Sequence, residues 1–172
     1  MNDTTFNLTR KEFSTSRPFG EVVAAIEAGA PVVVPEANHM LLGRETVDAL
    51  ASHGIDADEL TRRISERLGS SGFMILMKIE HDLVMGDLGR THRSVQFAIG
   101  NPLIAKDVSD AAPKVALYTP LRIAVLENGD DGSTTILFDS AELLMGSFGS
   151  DVARKIGASL DQKLVKLVEE AL

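Results

Sequence analysis

Four histidines are the first side chains to consider for chemistry, because imidazole titrates near neutral pH and can bind metals or transfer protons. They are His39, His53, His81 and His92. No two of them stand four residues apart, as a pair of metal ligands on one helix face would, and the sequence contains no cysteine. A metal would need carboxylates from scattered segments, so the sequence predicts no metal site.

His81 and His92 flank the connection between two predicted strands, the first of which covers residues 73–80. Functional side chains are common at such places, because the sheet holds the backbone while the side chain reaches out of the core. His81 could act as a proton donor or hydrogen-bond anchor, with Glu80 or Asp82 setting its tautomer if the backbone bends there. The alternative is that these side chains simply leave the core for water.

The segment Gly100-Asn101-Pro102 closes another predicted strand and combines three useful residue types. Glycine permits unusual backbone angles, asparagine can hydrogen-bond neighbouring amides, and proline blocks continued sheet pairing. A tight structural turn is the first interpretation, and a ligand-facing role for Asn101 is the second.

Two glycine-containing patterns do not support a nucleotide site or a serine nucleophile. Gly86 and Gly89 lie between predicted strands and lack the following helix and the Lys-Ser/Thr pair of a phosphate-binding loop. Residues 146–150 contain glycine and serine, but no Gly-x-Ser-x-Gly motif occurs. We expect no cofactor, and these patterns leave open whether the protein is an enzyme.

Charge and composition restrict the partners. The 17 basic and 25 acidic residues give a net charge of −8, which opposes binding to nucleic acid or to anionic lipid. The densest apolar run, residues 73–77, is far shorter than the ~20 residues of a membrane-spanning helix, and the first residues do not resemble a signal peptide. The absence of cysteine is compatible with a reducing compartment. We expect a cytoplasmic protein without nucleic-acid or membrane partners.

The elements that position these side chains follow from the periodicity of apolar residues. A β-permissive segment over 11–16 precedes a helix that begins near Pro18, and a short helix is predicted over 44–52. Asp56 and Glu59 form a capping-box-like pair at the start of an amphipathic helix. Strands are then predicted over 73–80, 94–99, 115–126 with a break at Pro120, and 133–138. A long amphipathic helix begins at Ser150 or Asp151.

This order of elements predicts an α+β fold in a single domain over residues 1–172. A chain of 172 residues, 44% of them apolar, is long enough to bury one sizeable core. Sequential strands joined by short turns favour an antiparallel sheet, and the helices are expected to cover one face of it.

Several of these segments resemble the domain of unknown function 302 family. The residues that carry the resemblance are Ile79-Glu80-His81, Gly89, Phe97-Ala98-Ile99-Gly100-Asn101-Pro102, Pro113, Leu117-Tyr118-Thr119-Pro120-Leu121-Arg122 and Asp131-Gly132. The resemblance covers about residues 73–140, and Arg122 stands where the family usually has lysine. It implies a β-α-β-β-β-β-α fold with a curved antiparallel sheet, often a homodimer, and no settled activity. Residues 30–55 look like an insertion into a family-like core of about 10–28 and 56–172.

Two functions from different classes remain. The first is a module that binds a small apolar or amphipathic molecule on the concave face of the sheet beneath the C-terminal helix. Its ligand-binding candidates are His81, His92, Asn101 and Arg122. The second is a homodimeric structural or interaction protein without a ligand. This alternative follows from Met74, Leu76 and Leu137, which point away from the expected core face and need cover.

Overall fold

The structure, a computed structural model, describes residues 3–32, 56–84, 92–129 and 131–172. Within these ranges the chain forms five β-strands, six α-helices and one 3-10 helix. In chain order they are β1 (Arg10–Thr15), α1 (Phe19–Gly29), α2 (Ala57–Arg67), β2 (Met74–Glu80), α3 (His81–Val84), β3 (Ser94–Gly100), α4 (Pro102–Ala111), the 3-10 helix (Pro113–Tyr118), β4 (Leu121–Glu127), β5 (Thr134–Asp139), α5 (Ala141–Gly146) and α6 (Asp151–Glu169). The helix predicted over 44–52 and most of the predicted insertion at 30–55 lie outside the described residues.

The five strands form one antiparallel sheet in the order β1-β5-β4-β3-β2, so the predicted α+β class is confirmed. A tight turn joins β4 to β5, and its side chains explain why it forms there. Asn128 donates through Nδ2 to Ser133 Oγ at 2.8 Å, and Asp131 Oδ1 accepts from the Ser133 amide at 2.9 Å. Gly132 has a φ of 70°, a left-handed conformation that side chains with a Cβ rarely adopt.

The core lies between one face of the sheet and helices α1, α4, α5 and α6. Alternate residues of β1, β3, β4 and β5 point into it, as expected for a sheet with one face buried, whereas the register of β2 shifts between Ile75 and Met77. We call this side the core face; its fully buried strand residues include Phe97, Ile99, Ile123, Val125 and Ile136. The helices add Val22, Ile26, Val108, Met145, Leu164 and Leu167 to the same cluster. The opposite side, which carries Arg122, Ala124 and Leu137, is called the open face.

A second, smaller cluster covers the beginning of β2 on the side away from Ile75. Asp56 begins α2 by accepting a hydrogen bond from the Glu59 amide at 2.8 Å, as the capping-box pattern predicted. Ile64 of this helix packs against Met74, which is 1% exposed, and Leu76 packs against the same cluster. Helix α2 of the same chain therefore buries Met74. No partner subunit is needed to cover this residue, contrary to the sequence prediction.

Two of the segments that differ from the sequence prediction lie between Asn101 and Leu121. The strand predicted over 115–126 begins only at Leu121, because Pro113–Tyr118 forms a 3-10 helix that buries Val115 in the core. A proline in the first turn of a helix loses no hydrogen bond, which suits Pro113 to this role. The helix α4 was not predicted at all, since the Asn101-Pro102 pair was interpreted as a tight turn.

Among the described residues, no helix combines the length and the apolar character needed to cross a bilayer.

Candidate functional site

A cavity of about 200 Å³ lies where β3 ends and α4 begins, and we call it the apolar cavity. Sheet residues, α4, α5, α6 and the segment that leads into β4 all contribute to its wall. The lining residues are Phe73, Leu76, Ile99, Gly100, Asn101, Pro102, Ile104, Ala105, Val108, Thr119, Pro120, Leu121, Met145 and Leu160. The cavity is thus built mainly by residues of the core face and by a helix that the sequence analysis missed.

Asn101 fixes the position of α4 over this cavity. Its Oδ1 accepts hydrogen bonds from the amides of Leu103 at 2.9 Å and Ile104 at 3.4 Å, while its Nδ2 donates to the Gly72 carbonyl at 2.9 Å. Pro102 follows as the first helical residue, where its missing N–H costs nothing. The tight turn predicted here is therefore a helix start. An asparagine followed by proline is itself a helix N-terminal signal, and it could have revealed α4.

The chemistry of the apolar cavity is that of a hydrocarbon-like site. The described residues that line it include no charged side chain, and its polar side chains are those of Asn101 and Thr119. The Thr119 hydroxyl donates to the Val115 carbonyl at 3.4 Å, and Asn101 is engaged in capping. Such a wall offers contact area and few hydrogen bonds, so it suits an apolar ligand more than a charged one.

His81 and His92 lie at the other end of the sheet from Asn101. Glu80 at the end of β2 pairs with Val95 near the start of β3, whereas Asn101 follows the last residue of β3. Because strands rise about 3.3 Å per residue, the length of β3 separates the two groups by roughly 20 Å. His81 begins α3 and is partly exposed, and neither histidine lines the apolar cavity. The predicted site residues therefore do not converge on one place.

His92 and Glu80, the carboxylate next to His81, are engaged in contacts outside a shared site. The exposed His92 lies so close to Gly129 that a Cβ there would stand 2.0 Å from its Cε1, which ties this histidine to the β4–β5 turn. Glu80, considered as an orienting group for His81, accepts from Lys78 Nζ at 2.8 Å. Burial lowers the pKa of Lys78, but its bonds to Glu27 and Glu80 outweigh that effect and raise this pKa overall.

Arg122 lies on the open face, on the other side of the sheet from the apolar cavity. It is exposed, pairs with Ala98 across β3 and β4, and lines a second cavity of about 390 Å³. We call this the open-face cavity. The segment that runs from Tyr118 to Leu121 separates the two cavities, since Pro120 and Leu121 border both. Asn101 and Arg122 thus lie near the same end of the sheet, but Asn101 lines the apolar cavity and Arg122 lines the open-face cavity.

A buried carboxylate, that of Asp161, was not among the residues singled out from the sequence. Asp161 of α6 is 6% exposed and binds the start of α5: its Oδ2 accepts from the Ser140 hydroxyl at 2.6 Å and its Oδ1 from the Ala141 amide at 2.7 Å. A carboxylate at a helix N-terminus satisfies amides that lack partners within the helix. The sequence signal was an aspartate within the apolar stripe of α6, four residues after Gly157.

Within residues 3–32, 56–84, 92–129 and 131–172, no three potential ligands among His, Cys, Asp and Glu come together to hold an ion. His39 and His53 lie outside the described residues.

Comparisons with known proteins agree with this architecture. The sequence profile of the family described as domain of unknown function DUF302 matches residues 49–171. A crystal structure described as an uncharacterized conserved DUF302 protein from Bacillus stearothermophilus is similar, with a TM-score of 0.63, 14% identity, and coverage of 95% of this chain and 98% of that chain. At this identity the likeness concerns the fold alone. No curated protein matches the sequence. Because the family profile covers most of its length, this chain belongs to the DUF302 family.

Proposed function

We propose that this protein is a small-molecule-binding module and that the apolar cavity is its binding site. The observation that carries the proposal is the character of the wall: buried Phe73, Ile99, Val108 and Met145 face a space that their own packing leaves unfilled. The space, of about 200 Å³, is partly open at the protein surface, so a small molecule can reach it, and the apolar side chains that line it gain contacts when it is filled.

The size and polarity of the cavity indicate the ligand class. Dry cavities of about 150 Å³ lined by leucine, isoleucine and phenylalanine bind benzene or xenon. The apolar cavity of about 200 Å³ accordingly suits one aromatic ring or a short branched alkyl group. Asn101 contributes to this site by its place in the wall and by holding α4. His81 and His92 stay predictions as ligand-binding residues.

Thermal unfolding with toluene as the probe tests this function. Ala105 lines the cavity from α4, whereas Ala111 at the end of the same helix is exposed and does not line it. Toluene at about ten times its Kd should raise the Tm of the natural protein by about 3–6 °C, as expected for ligand linkage in a domain of this size. A105L narrows the cavity and should abolish the rise, while A111L should retain it. Equal responses from the natural protein, A105L and A111L would contradict the proposal.

A homodimer without a ligand is the second candidate, and one observation favours it. Met77 on the edge strand β2 is 49% exposed and faces the same side as Ala98 and Arg122. Leu137 on β5 is half-buried on this face. Exposed apolar side chains on one face of a sheet are typical of surfaces that associate. A second copy of this chain is the partner we propose for them, in a cytoplasmic setting that the absence of cysteine favours.

A further inference from the structure

We propose that the open-face cavity is a second binding site, that it takes a carboxylate carrying a short alkyl chain, and that Arg122 binds the carboxylate. This site is separate from the apolar cavity and differs from it in chemistry. The inference therefore goes beyond the proposed function and does not depend on it.

The N-terminal segment and the sheet form this cavity together. Phe6 and Leu8 lie before β1, and Tyr118 contacts Phe6 edge-on, with ring centroids 6.5 Å apart and an interplanar angle of 66°. Tyr118 also packs on Phe148 at 5.5 Å. The full lining is Phe6, Leu8, Arg10, Gln96, Tyr118, Pro120, Leu121, Arg122, Ala124, Leu137, Phe138, Asp139 and Leu144. The volume of about 390 Å³ falls in the usual range of small-molecule pockets, roughly 300–1,000 Å³.

One of the two arginines that line the open-face cavity is not paired with a carboxylate of the described residues. Arg10 binds both carboxylate oxygens of Asp139, Nε to Oδ1 at 2.8 Å and Nη2 to Oδ2 at 3.1 Å. Arg122 has no hydrogen-bond or ion-pair partner among the described residues. Two arginines and one aspartate give the lining a formal charge of +1, on a chain whose net charge is −8. Glu12 is exposed two residues beyond Arg10 on β1 and does not line the cavity.

The neighbours of Arg122 define the ligand class. A guanidinium binds a carboxylate through two parallel hydrogen bonds, a geometry that a single ammonium or amide does not offer. The register places Gln96 diagonally across from Arg122 on the same face, about 7–8 Å away by strand geometry, where its amide can add a donor. Leu8, Leu137 and Leu144 supply an apolar wall for the alkyl chain. The ligand therefore combines one anionic group with a short apolar tail.

Tyrosine fluorescence offers a direct readout of this site. Tyr118 is the sole tyrosine, the chain has no tryptophan, and Tyr118 lines the open-face cavity but not the apolar cavity. Octanoate should change its fluorescence saturably, whereas 1-octanol, with the same chain length and no charge, should bind at least tenfold more weakly. A tenfold ratio corresponds to about 1.4 kcal/mol, close to the lower end of the usual contribution of a hydrogen bond to a charged group, about 1.5–3 kcal/mol.

Two charge-matched variants complete the test. R122Q should weaken octanoate binding at least tenfold, while K155Q removes the same charge from an exposed position on α6 and should leave the Kd unchanged. A105L, which alters the apolar cavity, should also leave the octanoate response unchanged. Equal affinity for octanoate and octanol, or unchanged binding in R122Q, would overturn the proposal. A response lost in A105L but kept in R122Q would also overturn it, while leaving the apolar cavity as the binding site.

Discussion

Asn101 shows how one side chain can be both a predicted site residue and a structural one. Its oxygen caps α4 and its amide nitrogen holds the Gly72 carbonyl, so its polar groups join the helix to the strand entry. His81, by contrast, lies partly exposed at the start of a four-residue helix. The two residues, which the sequence alone ranked together, should therefore differ sharply in their contribution to stability.

The pair of variants N101A and H81A measures this difference. N101A should lower the free energy of unfolding by about 1–2 kcal/mol, because loss of an N-cap leaves helix amides without a partner. H81A should change it by less than about 0.5 kcal/mol, as is usual for partly exposed positions. Urea unfolding followed by circular dichroism provides both values. A larger loss in H81A than in N101A would show that these roles are assigned the wrong way round.

The residue types that could do chemistry were visible in the sequence, but their distances from one another were not. His81 and Asn101 follow the neighbouring strands β2 and β3, yet antiparallel pairing puts them at opposite ends of the sheet. The role of Asp161 could not be assigned from the sequence for a related reason, since its partner Ser140 precedes it by 21 residues. Contacts of this kind depend on how helices pack, which the spacing of residues along one chain does not encode.

At the scale of elements, the prediction succeeded where one physical signal dominated. The capping pair at Asp56, the strand predicted over 94–99 and the long apolar stripe of α6 all correspond to elements at the predicted places. It failed between Asn101 and Pro120, where β-branched and apolar residues suit a strand but two prolines and a capping asparagine favour helices. Local capping and tertiary burial outweighed intrinsic propensity there.

The crossing of α5 and α6 depends on a glycine inside a helix. A Cβ on Gly157 would stand 2.5 Å from the Ala141 carbonyl oxygen, a backbone atom that cannot simply move away. G157A should therefore lower the free energy of unfolding by about 1–3 kcal/mol, although alanine favours a helix by about 1 kcal/mol over glycine.

Gly20 in the first turn of α1 is the matched control, because no atom lies within 4 Å of the Cβ it would gain. G20A should be neutral or stabilise by up to about 1 kcal/mol, through reduced entropy of the unfolded chain. Chemical denaturation of both variants compares them directly. If G157A matched G20A, the close approach of the two helices would not be a packing constraint.

Charge pairing on α2 makes a prediction about pH. Hydrogen bonds from Arg62 and then Arg63 lower the pKa of Glu59 from its ordinary value of 4.5 to about 2. A carboxyl group whose pKa is lower in the folded state stabilises that state above its unfolded pKa, and the contribution is lost as the pH falls through its folded pKa. The contribution of Glu59 to the stability of the folded state should therefore be complete above pH 4.5 and disappear between pH 4.5 and about 2.

An NMR titration of the Glu59 carboxyl carbon measures this shift. The natural protein should titrate well below pH 4.5, and the double variant R62Q/R63Q should move the midpoint back toward 4.5. Glu59 is partly exposed and its partner Arg62 is exposed, so added salt should reduce the shift. A midpoint near 4.5 in the natural protein would show that these surface pairs do not persist in solution.

At the scale of the whole molecule, the two faces of the sheet differ in how far they are buried. The core face is buried by the chain's own helices, while the open face retains exposed apolar groups such as Met77. The second candidate, the homodimer, predicts that size-exclusion chromatography with light scattering gives twice the monomer mass at micromolar concentration and that M77K shifts the protein toward monomer. L117K, at an exposed leucine of the 3-10 helix, is the control. A strictly monomeric natural protein would exclude the dimer.

Methyl NMR with toluene tests the central claim, ligand binding in the apolar cavity, most directly. Saturable shifts should appear for the methyl groups of Ile104, Val108, Leu121 and Met145, which line the cavity. The exposed Val152 on α6 should not respond, and A105L should remove the shifts. Absence of saturable shifts at the lining methyl groups, or shifts that persist in A105L, would contradict the account.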